Sequence, residues 1–124
     1  MFVYYNPNPA NKVVGDCAIR AIAKALDIGW EQAYAKAVVT GFRMGDLPSS
    51  DAVWGSVLRQ NGFVRESLPN TCPDCYTAED FCRDYPKGTY VLGFGGHTAT
   101  IIDGTLYDSW NSLSQSPQFY WRKK

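Results

Sequence analysis

The sequence predicts an α+β domain covering residues 1–124, with helices first and a mostly antiparallel sheet second. Three observations lead to this prediction. Apolar residues recur at helical spacing up to about residue 61, and β-branched and aromatic residues form short runs after residue 87. The pair Asp103-Gly104 separates two of these runs and is a strong hairpin signal. The chain length also fits one domain with one core.

The first part of the chain is predicted to be helical after a short N-terminal arm. Its Asn-Pro-Asn-Pro run favours an extended segment that ends in turns, because proline restricts itself and the residue before it. The predicted helices are residues 16–26 with Asp16 as N-cap, residues 30–38 ended by Gly41, and residues 51–61 with Ser50 as N-cap.

The second part is predicted to be mainly strands. One short helix is expected to begin at Thr77–Asp80, which has the pattern of a capping box, and to end near Tyr85. The predicted strands are residues 63–68, 89–94, 97–103, 106–110 and 118–121.

The composition indicates a packed globule without a charged binding face. Hydrophobic residues make up 45% of the chain, and 12 basic residues balance 12 acidic ones. Apart from the tail Arg122-Lys123-Lys124 there is no basic run, which argues against binding to nucleic acid or anionic membranes. No apolar segment approaches the roughly 20 residues that cross a bilayer, and the N-terminus does not resemble a signal peptide. We therefore expect a cytoplasmic monomer.

Cys17 is the candidate nucleophile. It stands in the first turn of the first predicted helix, where free backbone N–H groups and the helix dipole favour a thiolate. The alternative is that Cys17 is a small apolar core residue. In the same helix, Arg20 and Lys24 form a narrow polar stripe, and we expect Arg20 to be solvated.

The only histidine, His97, is the candidate base. If the hairpin loop is Asp103-Gly104, then Ile102 faces Thr105, and His97 and Asp108 are diagonal neighbours on one face. A loop one residue later keeps the same parity, so both registers place His97 and Asp108 on one side. Asp108 can then orient His97, which would take the proton of Cys17. A lone histidine at a strand start is also compatible with a purely structural role.

These residues resemble the papain-like cysteine peptidase superfamily, in particular its small bacterial and phage members. The family order of nucleophile, histidine and orienting residue is matched by Cys17, His97 and Asp108. Asn11 stands six residues before Cys17, where papain-type enzymes have a glutamine. The triplet Asp108-Ser109-Trp110 resembles the family's Asn-Ser-Trp. The resemblance implies that the helix of Cys17 is central and packs against the sheet.

The resemblance also implies acyl transfer on a peptide or protein substrate. The bond would be a peptide, other amide, isopeptide or thioester bond, cleaved through a thioester intermediate without a cofactor or metal. The Cys17 backbone N–H and the Asn11 side chain would form the oxyanion hole. Trp110 would shield the His–Asp pair, and Gly96, next to His97, would border the substrate.

The other cysteines leave two further classes of function open. Cys72 and Cys75 form a C-x-x-C motif that is typical of redox dithiols, although we expect reduced thiols in a cytoplasmic protein. With Cys82 they supply three zinc ligands, and a fourth would have to come from the catalytic set or from a carboxylate. The last class is a papain-fold binding or inhibitory protein of a phage or mobile element, which would not require catalysis.

Overall fold

The computed structural model describes all residues from Met1 to Lys124. It contains four helices and one six-stranded mixed sheet, so the α+β prediction is confirmed. The elements in chain order are β1 (Phe2–Tyr4), α1 (Cys17–Leu26), α2 (Trp30–Met44), α3 (Asp51–Gln60), β2 (Phe63–Ser67), α4 (Ala78–Asp84), β3 (Thr89–Phe94), β4 (His97–Ile102), β5 (Thr105–Asp108) and β6 (Phe119–Lys123).

The strands are arranged in the order β1-β5-β4-β3-β6-β2. All neighbouring pairs are antiparallel except β1 and β5, which are parallel. The sequence predicts an extended arm for residues 1–10, and the structure makes Phe2–Tyr4 of that arm an edge strand. A strand this short forms through its backbone hydrogen bonds to β5, and the local sequence pattern does not predict that pairing.

Side chains on the two faces of the sheet enter two separate apolar clusters. On β3, Val91 packs with α1, α2 and α3, whereas its neighbour Leu92 packs with α4. This alternation is the period of two expected for a strand. The helix α1 is central, since it contacts the sheet as well as α2 and α3. None of the helices combines the length and hydropathy needed to span a membrane.

The β4–β5 hairpin has the first of the two predicted registers. Ile102 pairs with Thr105, and both loop residues, Asp103 (φ 49°) and Gly104 (φ 77°), have left-handed backbone conformations. Positive φ at both loop residues is typical of the turn that matches the twist of a hairpin. Because β4 begins at His97 and β5 ends at Asp108, both residues lie at one end of the sheet.

The prediction that Gly41 ends the second helix is wrong. The helix α2 continues to Met44, and Gly45, with φ 68°, is its left-handed C-cap. Gly41 is buried within the helix, and a Cβ on it would lie 2.7 Å from the backbone oxygen of Asp46. This glycine therefore allows the following loop to fold back onto the helix.

The prediction of reduced thiols at Cys72 and Cys75 is also wrong for this structure. The two cysteines form a disulfide bond, and only Cys17 and Cys82 are free. Cys82 is buried in α4. Cys72, Cys75 and Cys82 therefore do not form a cluster of three thiolates. No group of three or more His, Cys, Asp and Glu side chains is placed to hold a metal ion.

Candidate active site

Cys17, His97 and Asp108 meet because each stands at the end of a secondary-structure element. Cys17 is the first residue of α1, His97 the first residue of β4, and Asp108 the last residue of β5. The helix α1 packs against β4, which brings its N-terminus to the same end of the sheet. The structure thus brings together three residues that are up to 91 positions apart in the sequence.

The histidine and the aspartate form a direct hydrogen bond. The distance between His97 Nε2 and Asp108 Oδ2 is 2.6 Å, as strand parity predicts for two residues on one face. Because Nε2 faces the carboxylate, Nδ1 is the ring nitrogen left to interact with Cys17. A carboxylate that accepts from one nitrogen fixes the ring orientation and leaves the other nitrogen for proton transfer.

The Cys17 thiol is partly buried and interacts with His97. Burial raises the pKa of Cys17, but hydrogen bonding to His97, the charge of His97 and a hydrogen bond with the backbone of Thr98 lower it below the ordinary thiol value. The charge of Arg20 acts in the same direction. A thiol with a lowered pKa and partial exposure has the properties of a reactive cysteine rather than an inert one.

The pKa of His97 moves in the complementary direction. Burial lowers it, but the hydrogen bonds to Asp108 and Cys17 and the negative charges of both raise the pKa of His97 to about 9. Together the two shifts move the pair toward a thiolate at Cys17 and an imidazolium at His97. Since the two groups interact strongly, their titration belongs to the pair.

Asp108 is almost fully buried and is held by four different groups. Besides His97, the Ser112 hydroxyl donates to Oδ2 at 2.7 Å, the Ser109 backbone N–H donates to Oδ1 at 2.7 Å, and Arg20 Nη2 donates to Oδ1 at 3.2 Å. Burial raises the pKa of Asp108, but the hydrogen bonds to His97 and Ser112 lower it below its ordinary value. A buried carboxylate with these partners remains ionised and rigid.

The expectation that Arg20 is solvated is wrong. Its side chain is buried and lies between two carboxylates, those of Asp16 and Asp108. Asp16 occupies the N-cap position, but its side chain does not cap the helix as predicted. It instead pairs with Arg20 and accepts a 2.9 Å hydrogen bond from the indole N–H of Trp30. The attraction of these two carboxylates offsets part of the cost of removing the Arg20 guanidinium from water.

Trp110 lies against the imidazole. Its ring centroid is 4.8 Å from that of His97 at an interplanar angle of 41°, and the indole remains 45% exposed. On another side of the ring, the centroid of Phe94 is 5.7 Å away. The two aromatic side chains therefore shield part of His97, while solvent still reaches Trp110.

The remaining two predicted site residues lie in exposed segments. Asn11 has a left-handed backbone conformation with φ 53°. Its side chain makes no hydrogen bond, so the structure shows no contact between its amide and Cys17. Gly96, with φ 80°, is in the turn directly before His97, and a Cβ there would meet no atom within 4 Å. The space beside Gly96 is therefore open.

Sequence reasoning missed Ser112 and Trp30 and misjudged Arg20. An available signal was the spacing of Asp16 and Arg20, an i, i+4 pair of opposite charge on a helix that is otherwise apolar. No comparable signal identifies Ser112, which approaches Asp108 because the chain turns back after β5.

No protein-family model, no curated protein and no solved structure matches this chain. The chemistry of Cys17, His97 and Asp108 is therefore the basis for a functional proposal.

Proposed function

We propose that this protein is a cysteine-dependent hydrolase of papain-like arrangement that cleaves a peptide, other amide, isopeptide or thioester bond. One observation carries the proposal. Asp108 binds His97 through Nε2, which leaves the other ring nitrogen, Nδ1, for the Cys17 thiol. This thiol has a lowered pKa and lies at a helix N-terminus. A nucleophile, a base and an orienting group in this relation are the requirements of nucleophilic acyl transfer.

In the first step, the Cys17 thiolate attacks the substrate carbonyl carbon, and the C=O π electrons move onto oxygen. The first intrahelical hydrogen bond of α1 runs from the Arg20 N–H to the Asp16 oxygen, so the Cys17 N–H is free to bind the oxyanion. One such donor contributes about 3–4 kcal/mol in comparable sites. We place the Asn11 amide as the second donor, since its side chain has no competing hydrogen bond.

In the second step, the tetrahedral intermediate collapses, the bond to the leaving group breaks, and His97 donates its Nδ1 proton to the leaving amine or thiolate. The acyl group is then a thioester on Cys17. His97, now neutral, takes a proton from water as the oxygen attacks the thioester carbonyl. Collapse releases the carboxylic acid and restores the thiolate and the imidazolium.

Asp108 remains anionic throughout this cycle, because Arg20, Ser112 and the Ser109 N–H stabilise its charge. Its hydrogen bond keeps the His97 ring in one orientation while the proton moves at Nδ1. Trp110 and Gly96 border the place where substrate meets His97. The proposal includes a cytoplasmic monomer that acts on a peptide or protein. Cytoplasmic thiols reduce most disulfides, so we expect the Cys72–Cys75 disulfide to be reduced there.

The test is the reactivity of Cys17 toward limiting iodoacetamide between pH 5 and 9, with the labelled site mapped by mass spectrometry. We expect Cys17 to react fastest and to retain its rate well below pH 8.5, the ordinary thiol pKa. In His97→Ala the rate at pH 7 falls about tenfold or more, since each pKa unit changes the thiolate fraction about tenfold. Circular dichroism verifies that the variant is folded.

Cys82 is the internal control, because burial raises its thiol pKa. The hydrolase proposal is wrong if Cys17 reacts no faster than Cys82, or if His97→Ala leaves its rate unchanged. A positive result is followed by hydrolysis assays with peptide and isopeptide amides.

A second candidate function is thiol redox chemistry at Cys72 and Cys75. The observation that favours it is their disulfide, which borders a surface cavity of about 410 Å³ between the segments 68–76 and 116–118. After mild reduction, the same alkylation experiment discriminates the two candidates. Fastest labelling of Cys72 or Cys75 with an inert Cys17 would favour the redox function.

A further inference from the structure

A surface cavity of about 340 Å³ lies between α3 and the strands β2 and β6. Its wall contains Arg59 of α3, Arg65 of β2, and the aromatic residues Phe119 and Trp121 of β6. We call this cavity the Arg59–Arg65 pocket. None of the three proposed catalytic residues belongs to its wall. Its volume lies within the range of about 300–1,000 Å³ that is typical of ligand sites.

The two arginines of the pocket lie over aromatic rings. The guanidinium carbon of Arg59 is 5.1 Å from the ring centroid of Trp121, and that of Arg65 is 4.2 Å from the ring centroid of Phe119. Phe119 and Trp121 are two positions apart on β6, so they share one face of the sheet and lie about 7 Å apart along the strand. The two guanidiniums therefore lie over neighbouring rings of the same cavity.

Neither guanidinium in the pocket has a partner for its N–H groups. The arginines that form ion pairs and side-chain hydrogen bonds in this structure are Arg20, Arg83 and Arg122. Stacking on an aromatic ring uses the face of a guanidinium and leaves the N–H groups at its edge free to donate. The donors of Arg59 and Arg65 therefore remain available to a ligand.

The wall also contains a buried donor that the protein does not satisfy. The indole N–H of Trp121 is the only buried side-chain polar group of the structure without a hydrogen-bond partner. Such a donor is unfavourable, and buried polar groups nearly always have a partner in the protein or in a bound molecule. Because Arg59 lies over this ring, a turn of its side chain toward a ligand would also uncover the indole.

The charge of the wall favours an anion. Its charged residues are Arg59, Arg65 and Asp51, so two positive charges stand against one negative charge, whereas the whole chain is neutral. The carboxylate of Asp51 already accepts a 2.9 Å hydrogen bond from the indole N–H of Trp54. A cationic ligand would therefore meet two unpaired guanidiniums and one carboxylate that already has a partner.

The number of donors indicates which anion fits. A phosphate monoester carries about two negative charges near neutral pH and has three terminal oxygens, so it can accept from both arginines at once. A carboxylate has one charge and two oxygens, which a single guanidinium can bind. The rest of the wall includes Phe119 and the 47% exposed side chain of Met44, which suit an apolar organic part.

We propose that the Arg59–Arg65 pocket binds a small phosphate monoester. Its phosphate lies between the two guanidiniums, and its organic part is apolar and contacts Phe119 and Met44. This site is independent of the proposed hydrolase function, because no residue of its wall takes part in the chemistry of Cys17.

The first test measures binding of phenyl phosphate to ¹⁵N-labelled protein at constant ionic strength and at a pH where the phosphate is a dianion. We expect the indole signal of Trp121, assigned by its loss in Trp121→Phe, to shift with a dissociation constant below about 1 mM. The indole signals of Trp30 and Trp110 are internal controls, since neither residue lines the pocket. Isothermal titration calorimetry measures the same constant without any assignment.

Three variants locate the binding site. Arg59→Gln and Arg65→Gln each remove one guanidinium and should weaken the binding of phenyl phosphate by about 10–100-fold. Arg43→Gln is the matched control, because Arg43 is also an exposed arginine without an ion pair but does not line the pocket. It should change the affinity by less than about twofold, since a distant exposed charge is screened. Thermal unfolding verifies that the variants are folded.

Three further probes define the ligand. Benzyl alcohol, benzoate and inorganic phosphate should each bind at least about tenfold more weakly than phenyl phosphate, because each lacks the second charge or the apolar part. No saturable binding of phenyl phosphate up to about 10 mM, or an unchanged affinity in both arginine variants of the pocket, would overturn the proposal. Equal binding of benzoate would overturn the assignment of a phosphate. Equal binding of inorganic phosphate would overturn the role of the apolar part.

Discussion

At the scale of single residues, Arg20 is the side chain that joins α1, the helix of Cys17, to the carboxylate of Asp108. It lies one helical turn after Cys17, is buried, and donates to both Asp16 and Asp108. Its guanidinium offers several donors in a fixed plane, which suits a residue placed between two carboxylates. Removing it would leave two buried negative charges close to the site without their partner.

We expect Arg20→Met, which keeps the length of the side chain but removes its charge, to lower the free energy of unfolding by about 3–5 kcal/mol. The reason is that Asp16 would remain buried without a cation and Asp108 would keep only His97. Urea unfolding at pH 7 measures the change. A decrease below about 1 kcal/mol would show that the ion pairs contribute little.

Arg83→Met is the matched control for this prediction. Arg83 also pairs with two aspartates, Asp80 and Asp84, but its side chain is 68% exposed. Exposed pairs are screened by water and contribute little to stability. The contrast between the two arginines would therefore measure the effect of burial rather than the number of ion pairs.

At the scale of elements, Gly41 of α2 allows a close contact with the following loop and does not end the helix. Gly41 lies inside the helix, and the backbone of residues 46–48 packs against the space where its side chain would be. The actual end is Gly45, whose positive φ is favourable for glycine.

We expect Gly41→Ala to destabilise the protein by about 1–3 kcal/mol, although alanine is the better helix former by about 1 kcal/mol. The added methyl group would lie 2.7 Å from the Asp46 backbone oxygen, which cannot rotate away as a side chain can. Thermal unfolding measures the effect. Lys36→Ala, at an exposed position of the same helix, should change stability by less than about 0.5 kcal/mol. A stabilised Gly41→Ala would contradict the close packing of this loop.

At the scale of the whole molecule, the site depends on several long-range contacts that meet at one end of the sheet. The parallel strand β1 supports Asp108 from the side opposite β4, with Tyr4 as its partner and the Tyr5 N–H donating to its backbone oxygen at 2.7 Å. The helix α1 brings Cys17 and Arg20. The ionisation of the site is therefore coupled to the folding of the entire chain.

Near neutral pH, His97 and Cys17 make the stability depend on pH in opposite directions. The pKa of His97 is raised from 6.5 to about 9, so its contribution to stability is complete below pH 6.5 and is lost as the pH rises through about 9. The pKa of Cys17 is lowered, so its contribution is present above the ordinary thiol pKa and is lost as the pH falls through the lowered value. Between these limits the contribution of His97 falls with rising pH while that of Cys17 grows, so the two pH dependences partly cancel.

We therefore expect Cys17→Ala to lose stability more steeply than the unchanged protein as the pH rises from 6.5 to 8.5. Without the thiol, only the histidine part remains, because Asp108 still raises the pKa of His97. Urea unfolding at several pH values measures the slope. Cys82→Ala is the control, since the raised pKa of Cys82 predicts no change of slope below about pH 8. Parallel profiles for all three proteins would contradict the ion pair.

Features that depend on neighbouring residues can be predicted from the amino-acid sequence. The start of α1 at Cys17 and the cap of α3 at Ser50 follow from local composition and spacing. The alternation of strand side chains and the turn at Asp103-Gly104 predict that His97 and Asp108 lie on one side of the sheet, and the structure agrees. Local periodicity predicts which residues share a face, because the side chains on each face of a strand or helix recur every few residues.

Features that depend on distant parts of the chain become visible in the folded protein and not in the sequence pattern. Arg20 is buried because Asp108, 88 positions later, offers it a second carboxylate. The edge strand β1 likewise pairs with β5, a strand from the other end of the chain. The disulfide between Cys72 and Cys75 was also not determined by spacing alone. The physical reason is that burial and pairing energies depend on which segments meet, and a local pattern does not specify those partners.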